Sequence, residues 1–154
     1  MTITPAIKVI HTNWQIHSEV LHKIRTAVFV EEQNIHPDLE WDEFDASATH
    51  FIVFVDDAPA GCARLKIDHD VGRIGRMAVL DAFRGAGLAS LLMTDVIAYA
   101  SAQSLTRLEL DAQTYVRKLY ENTGFSQCGD EFIEDGTDIP HIPMQMRLEP
   151  VAAV

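Results

Sequence analysis

Residues 84–89 read Arg84-Gly85-Ala86-Gly87-Leu88-Ala89, and the fold turns on what stands on either side of them. Upstream, Gly72–Val79 carries the apolar residues Ile74, Met77 and Val79 and is predicted as a strand. Downstream, Leu88–Ala102 is predicted as a helix with Leu88, Leu91, Leu92, Val96 and Tyr99 on its apolar face. Two glycines let the chain turn tightly between the two and let its backbone approach a ligand without a Cβ in the way. Amides at a helix N-terminus point outward unpaired, and the helix dipole favours an anion there. Arg84 adds a positive charge. A pyrophosphate needs this combination, although an ordinary tight turn would use the same glycines. The chain has neither G-x-x-x-x-G-K-S/T nor G-x-G-x-x-G, so two common nucleotide loops are excluded.

Working outward, Ile7–His11 is predicted as the first strand, and Ser18 as the N-cap of a helix carrying Val20, Leu21, Ile24, Ala27 and Val28. Residues 31–47 contain Pro37 and read as a loop or broken helical turn. His50–Val55 and Ala60–Asp68 form a hairpin about a turn at Asp56-Asp57-Ala58-Pro59. Arg107–Asp111 alternates as a half-buried strand does. Tyr115–Asn122 is a short helix stopped by Gly124, and Phe125–Cys128 and Met144–Leu148 are terminal strands. This order gives a mixed-sheet α/β architecture with helices on both faces.

The 154 residues are expected to form one domain spanning 1–154, large enough to fold around its own core. With 47% hydrophobic and 23% charged residues, the chain is globular rather than disordered. Met1-Thr2-Ile3-Thr4-Pro5 shows no basic segment followed by an apolar core. A cytoplasmic protein with Cys62 and Cys128 as reduced thiols is therefore expected. The net charge of −11 repels nucleic acid and anionic membrane and would attract an amine. Seven acids lie between Glu31 and Asp45 with no Lys or Arg among them, and five more lie between Asp130 and Asp138. Between these blocks stand Arg64, Lys66, Arg73, Arg76 and Arg84. Each block reads as a solvated surface, or as a protein that grips an anionic cofactor and receives a cationic acceptor.

The Arg84–Ala89 segment resembles the R-x-x-G-x-A acyl-CoA loop of the GNAT superfamily of N-acetyltransferases. Ile74-Gly-Arg-Met-Ala-Val-Leu-Asp-Ala-Phe-Arg-Gly85 resembles the superfamily's strand running into that loop, and Lys118-Leu-Tyr-Glu-Asn-Thr-Gly-Phe125 its later helical signature. Val28-Phe-Val-Glu-Glu-Gln33 and Glu134-Asp-Gly with Pro140-His-Ile-Pro-Met144 are similar to a bacterial subgroup of the ElaA and YjcF type. The resemblance implies a mixed, mostly antiparallel sheet of about six to seven strands with helices on both faces. It implies acetyl-CoA as co-substrate and transfer of its acetyl group to a primary amine. Pyrophosphate would be held by backbone amides of Arg84, Gly85, Ala86, Gly87, Leu88 and Ala89. Main-chain groups of Met77, Ala78 and Val79 would align the pantetheine and polarise the thioester carbonyl. Gln113 stands where many members carry a polar residue, and Tyr120 would protonate the departing thiolate.

Some members place a glutamate base on the strand before the loop, whereas Arg73–Val79 here contains no acid. Glu31, Glu32, Glu43, Asp45, His50, His141 or a water chain are the open alternatives. The missing acid also keeps open a catalytically weak acyl-CoA-binding sensor or scaffold. The seven histidines show no H-E-x-x-H spacing and the cysteines no C-x-x-C, so no metal site is expected. The expected acceptor is a small-molecule or peptide amine drawn in by the acidic 31–45 block. No nucleic-acid or membrane partner is expected, and a homodimer stays open.

Overall fold

Strands rich in Val, Ile and Phe pair into one sheet in the computed structural model, which describes residues 3–149. Residues 1–2 and 150–154 of the expected domain, with the Met1-Thr2 part of the N-terminal reading, lie outside the described residues. The strands are β1 (Ile7–Thr12), β2 (Thr49–Val55), β3 (Ala58–Asp68), β4 (Val71–Val79), β5 (Arg107–Gln113), β6 (Ser126–Gln127), β7 (Phe132–Ile133) and β8 (Pro140–Arg147). Their order is β1-β2-β3-β4-β5-β8-β6, with β7 also on β8. Only β4 and β5 run parallel; the other pairs are antiparallel. This is the expected mixed, mostly antiparallel sheet, with the two-residue β6 and β7 bringing it to eight strands.

Helices α1 (Trp14–Arg25) and α3 (Leu88–Ala102) cover opposite faces, and α2 (Pro37–Glu40) and α4 (Arg117–Asn122) are short. Helix α3 lies on Phe51, Val53, Leu65, Leu108 and Ile142. Helix α1 lies on Ile52, Cys62 and Ala78. The α1 face is covered only as far as β4. Beyond it, β5 alternates buried Leu108, Leu110 and Ala112 with the half-buried polar Glu109, Asp111 and Gln113. Among the described residues, no helix is long and apolar enough to cross a membrane.

Three local expectations change. The N-cap of α1 is Asn13, whose Oδ1 accepts the Ile16 amide at 2.9 Å. Ser18 lies inside the helix, one residue beyond a non-helical His17 (φ −123°, ψ 22°). On α3, Leu91 is 40% exposed and the core takes Met93 and Ala100 instead. Tyr99 sits at the rim, edge-on to Phe51 at 5.6 Å. Strand β8 begins at Pro140 rather than Met144; Pro143 sits opposite Asp111 and does not break the ladder.

Part of the acidic block after α1 is spent inside the protein. A π-helical turn, Thr26–Glu32, leads from α1 toward α2. Arg25, fully buried between the Trp14 and Trp41 rings, donates to Glu40 and to Asp45, each at 2.7 Å. Arg64 donates to Asp42 at 2.7 Å and Asp45 at 3.0 Å. Arg76 reaches Glu40 and Asp42, each at 3.2 Å. Burial works against the Asp45 charge, yet the Arg25 and Arg64 guanidiniums hold its carboxyl below the usual carboxylate range. Glu40, Asp42 and Asp45 therefore neutralise three arginines and are not free to recruit an amine, whereas Glu31, Asp38 and Glu43 of the same block stay exposed.

Candidate active site

A bulge in β4 opens the site. Cys62 pairs with Ala78 and Arg64 with Gly75, so Ala63 alone faces Arg76 and Met77. Arg76 adopts φ +49°, a conformation unfavourable to a side chain of its size. Its guanidinium bonds the Glu40 carbonyl at 3.0 Å, which holds the bulge against α2. The extra residue changes which way the chain faces: Ile74 belongs to the core under α3, Ala78 to the core under α1. Beyond it the two parallel strands part, because β4 and β5 pair only from Val71–Arg107 to Ile74–Leu110. The opening holds a cavity of about 830 Å³.

The glycine loop closes one end. Gly85 and Gly87 have φ of +83° and +76°, and a Cβ added to either would meet nothing within 4 Å. Gly87 is the N-cap of α3 and offers no side-chain cap, which leaves the amides after it without intrahelical partners. The cradle is therefore open where a phosphate would lie, and the residues fit one. Gly85, Gly87, Leu88 and Ala89 line the cavity with Met77, Ala78 and Val79; Ala86 does not. Arg84 lines it too, but its charge is committed: its two terminal nitrogens donate to the Glu32 carboxylate at 2.5 and 2.6 Å. That bidentate pair draws the Glu32 carboxyl below its ordinary range.

Gln113 and Tyr120 line the same cavity beyond the ends of β4 and β5. The Gln113 amide donates to Gln33 at 2.9 Å, tying β5 to the end of the π-helical turn. Tyr120 is 7% exposed, packs edge-on to Phe125, and has its hydroxyl pKa pushed up by burial. A hydroxyl so placed keeps its proton at rest and has it to donate. Of the six base candidates, Glu32 and His141 reach the cavity. Glu31 and Glu43 do not line it, and Asp45 is held in the arginine network. His50 also lies outside it: its Nε2 donates to the Asp45 carbonyl at 2.9 Å, and burial lowers its pKa. His141 faces acceptors with both ring nitrogens, Nδ1 at 2.9 Å from the Ile139 carbonyl and Nε2 at 3.3 Å from Glu134. Burial pushes the Cys62 thiol up to about 12, which leaves it unreactive.

Several cavity residues are not singled out by the sequence, Gln33, Asp111 and the turn after β7 among them, and Lys66 and Arg73 stand out only as members of a basic block. Alternation along β5 puts Asp111 on a polar face, but only the register shows that the face is uncovered. The turn at Glu134–Thr137 roofs the cavity, for a Cβ on Gly136 would lie 2.6 Å from Leu39 of α2. Among the described residues no cluster of His, Cys, Asp and Glu is suited to a metal ion.

Comparison with known proteins places this geometry in context. Residues 19–148 match the family described as Acetyltransferase (GNAT) domain. The uncharacterized N-acetyltransferase YjcF of Bacillus subtilis (strain 168) is 30% identical over 122 residues, covering 79% of this chain and 86% of that protein. Escherichia coli ElaA superposes with a TM-score of 0.81 at 26% identity, covering 92% of this chain and 99% of its own. An acyl-CoA N-acyltransferase from Pseudomonas aeruginosa superposes with a TM-score of 0.79 at 29% identity, covering 93% and 99%.

Proposed function

We propose, from the premise that the chain belongs to the GNAT acetyltransferase family, that it moves an acetyl group from acetyl-CoA to a primary amine by direct attack in a ternary complex. Acyl transfer is the chemistry of the family and of the neighbouring acyl-CoA N-acyltransferase; the acetyl donor, the amine and the residue roles are our reading. The observation that carries it is the cavity opened by the Arg76 bulge, with an anion-ready loop at one end and Tyr120 and His141 in its wall.

Acetyl-CoA supplies the activated acetyl group as a thioester. The backbone amides of residues 84–89 hold its pyrophosphate; the Glu32 pair neutralises Arg84 and leaves that task to the amides. Along the part of β4 that β5 does not cover, Met77, Ala78 and Val79 offer main-chain groups to the pantetheine and the carbonyl oxygen. Tyr120 gives its proton to the departing sulfur. His141 takes the proton of the amine on Nε2, with Nδ1 turned to the Ile139 carbonyl and the Glu134 carboxylate 3.3 Å from Nε2 to receive it in turn. In this reading residues 1–154 act as one cytoplasmic domain on a small-molecule or peptide amine.

Binding of acetyl-CoA tests the loop. At about 100 times its dissociation constant the ligand stabilises the fold by about 2.7 kcal/mol, so a clear rise in melting temperature is expected. Gly87→Val forces a β-branched residue toward φ +76° and fills the cradle. It is expected to abolish that rise while a cooperative transition remains. Unchanged acetyl-CoA affinity in the variant would reduce the loop to an ordinary turn.

A further inference from the structure

We infer that the acceptor amine also carries a carboxylate, bound in the cavity by Lys66 with Arg64 beside it. This rests on the acyl-transfer reading and names the substrate class for the same cavity.

Cations gather on the α1 side of β3 and β4. Arg64 and Lys66 are two residues apart on β3 and so share a face, and Arg73 of β4 stands directly opposite Lys66. Like charges directly opposite across an antiparallel pair are destabilising, so Lys66 and Arg73 break a local rule that folding alone gives no reason to break. Arg73 is relieved by Asp111 and, at 3.7 Å, Glu109. Arg64 and Arg76 are relieved by Asp42, Asp45 and Glu40. Lys66 has no such ion pair. Among the described residues no carboxylate lies within 4.0 Å of its ammonium, which sits 4.3 Å from the centroid of the Phe44 ring. Burial, and then the charges of Arg64, Arg73 and Arg76, depress its pKa against the opposing pull of Asp42.

A second cation stands beside it. Arg64, 3% exposed, meets both its carboxylates through Nη1, and its Nε is buried with no hydrogen-bond partner. Buried polar groups without partners are rare in native structures. Gly75 stands opposite Arg64 in the register and lines the cavity, and a Cβ built on it would meet nothing within 4 Å. Open space therefore adjoins this stretch of β3, where Lys66 lines the cavity, while the Arg64 Nε is itself enclosed. One ammonium matches the single charge of a carboxylate; a phosphate carries more charge than it would neutralise. Asp111, Glu134 and Asp135 line the cavity as well and suit the ammonium end. An amine with a carboxylate a few bonds away, an amino acid, meets both.

The test uses CoA-loaded protein and N-acetyl derivatives of alanine, leucine, phenylalanine and glutamate as product-like probes. Each is compared with its C-terminal amide by calorimetry. At least one acid is expected to bind about 10–100 times more tightly than its amide, the range for a charge-assisted contact. Lys66→Met should erase that difference and Lys66→Arg retain most of it, with acetyl-CoA affinity the same in all three proteins. Lys66→Met should melt no lower than the parent without ligand, because it removes a like charge. Equal binding of acids and amides, no binding of either, or a preference that survives Lys66→Met would overturn the carboxylate site. Failure of acetyl-CoA itself to bind would instead sink the acyl-transfer reading, and this site with it.

Discussion

Arg25→Met is expected to destabilise the protein by about 3–5 kcal/mol, the cost of stranding buried charges when one partner is removed. Arg25 is fully buried, and its guanidinium ties the end of α1 to Glu40, fifteen residues on, and Asp45, twenty residues on. Burial opposes its charge, but the two carboxylates raise its pKa and keep it ionised. Methionine fills the space between Trp14 and Trp41 and leaves those carboxylates short of a partner. For a chain of this size each kcal/mol moves the melting temperature by roughly 2–4 °C, so a fall of roughly 6–20 °C is expected by calorimetry. The segment that carries Glu32 and Gln33 should loosen with it, and affinity for acetyl-CoA should fall. A change below about 1 kcal/mol would show that the network contributes no net stability, as for an exposed ion pair.

Tyr120→Phe is expected to lower the turnover number by about 10²–10⁴-fold, the usual contribution of a general acid, or somewhat less. A thiol with a pKa near 8.5 leaves fairly well without help. The phenylalanine keeps the ring and its edge-on packing against Phe125. Melting temperature and acetyl-CoA affinity should therefore change little. Loss confined to the turnover number marks an interaction made mainly in the transition state. Full turnover in the variant, at saturating acetyl-CoA with an accepted amine, would return Tyr120 to a packing role.

The strand, glycine loop and helix around residues 72–102 are legible because each depends on local chemistry. Apolar spacing marks the helix, and Gly85 and Gly87 occupy positive φ where few other residues would. The N-cap of α1 misleads because Ser18 and Asn13 both suit the position, and the choice falls to the packing of Trp14 against Trp41 and His50. The acidic block misleads for another reason. Glu40, Asp42 and Asp45 look unpaired along the chain, since their arginine partners lie 15 to 36 residues away. Only the β3–β4 register delivers Arg64 and Arg76 to them. His141 likewise cannot be placed until β8 is known to start at Pro140, which sets it opposite Gln113 at the mouth of the cavity. The bulge at Arg76 leaves no mark in the sequence, because its backbone is held by Glu40, thirty-six residues away.

Acetyl transfer is tested most directly by incubating the protein with acetyl-CoA and a panel of primary amines, amino acids among them. Free thiol is followed with time and the products are weighed by mass spectrometry. The expected result is thiol release that depends on the amine and matches, mole for mole, the appearance of one N-acetylated product. Acetyl-CoA that binds but releases no thiol beyond the protein-free rate with any amine would contradict it, and would leave a binding module on an acetyltransferase fold.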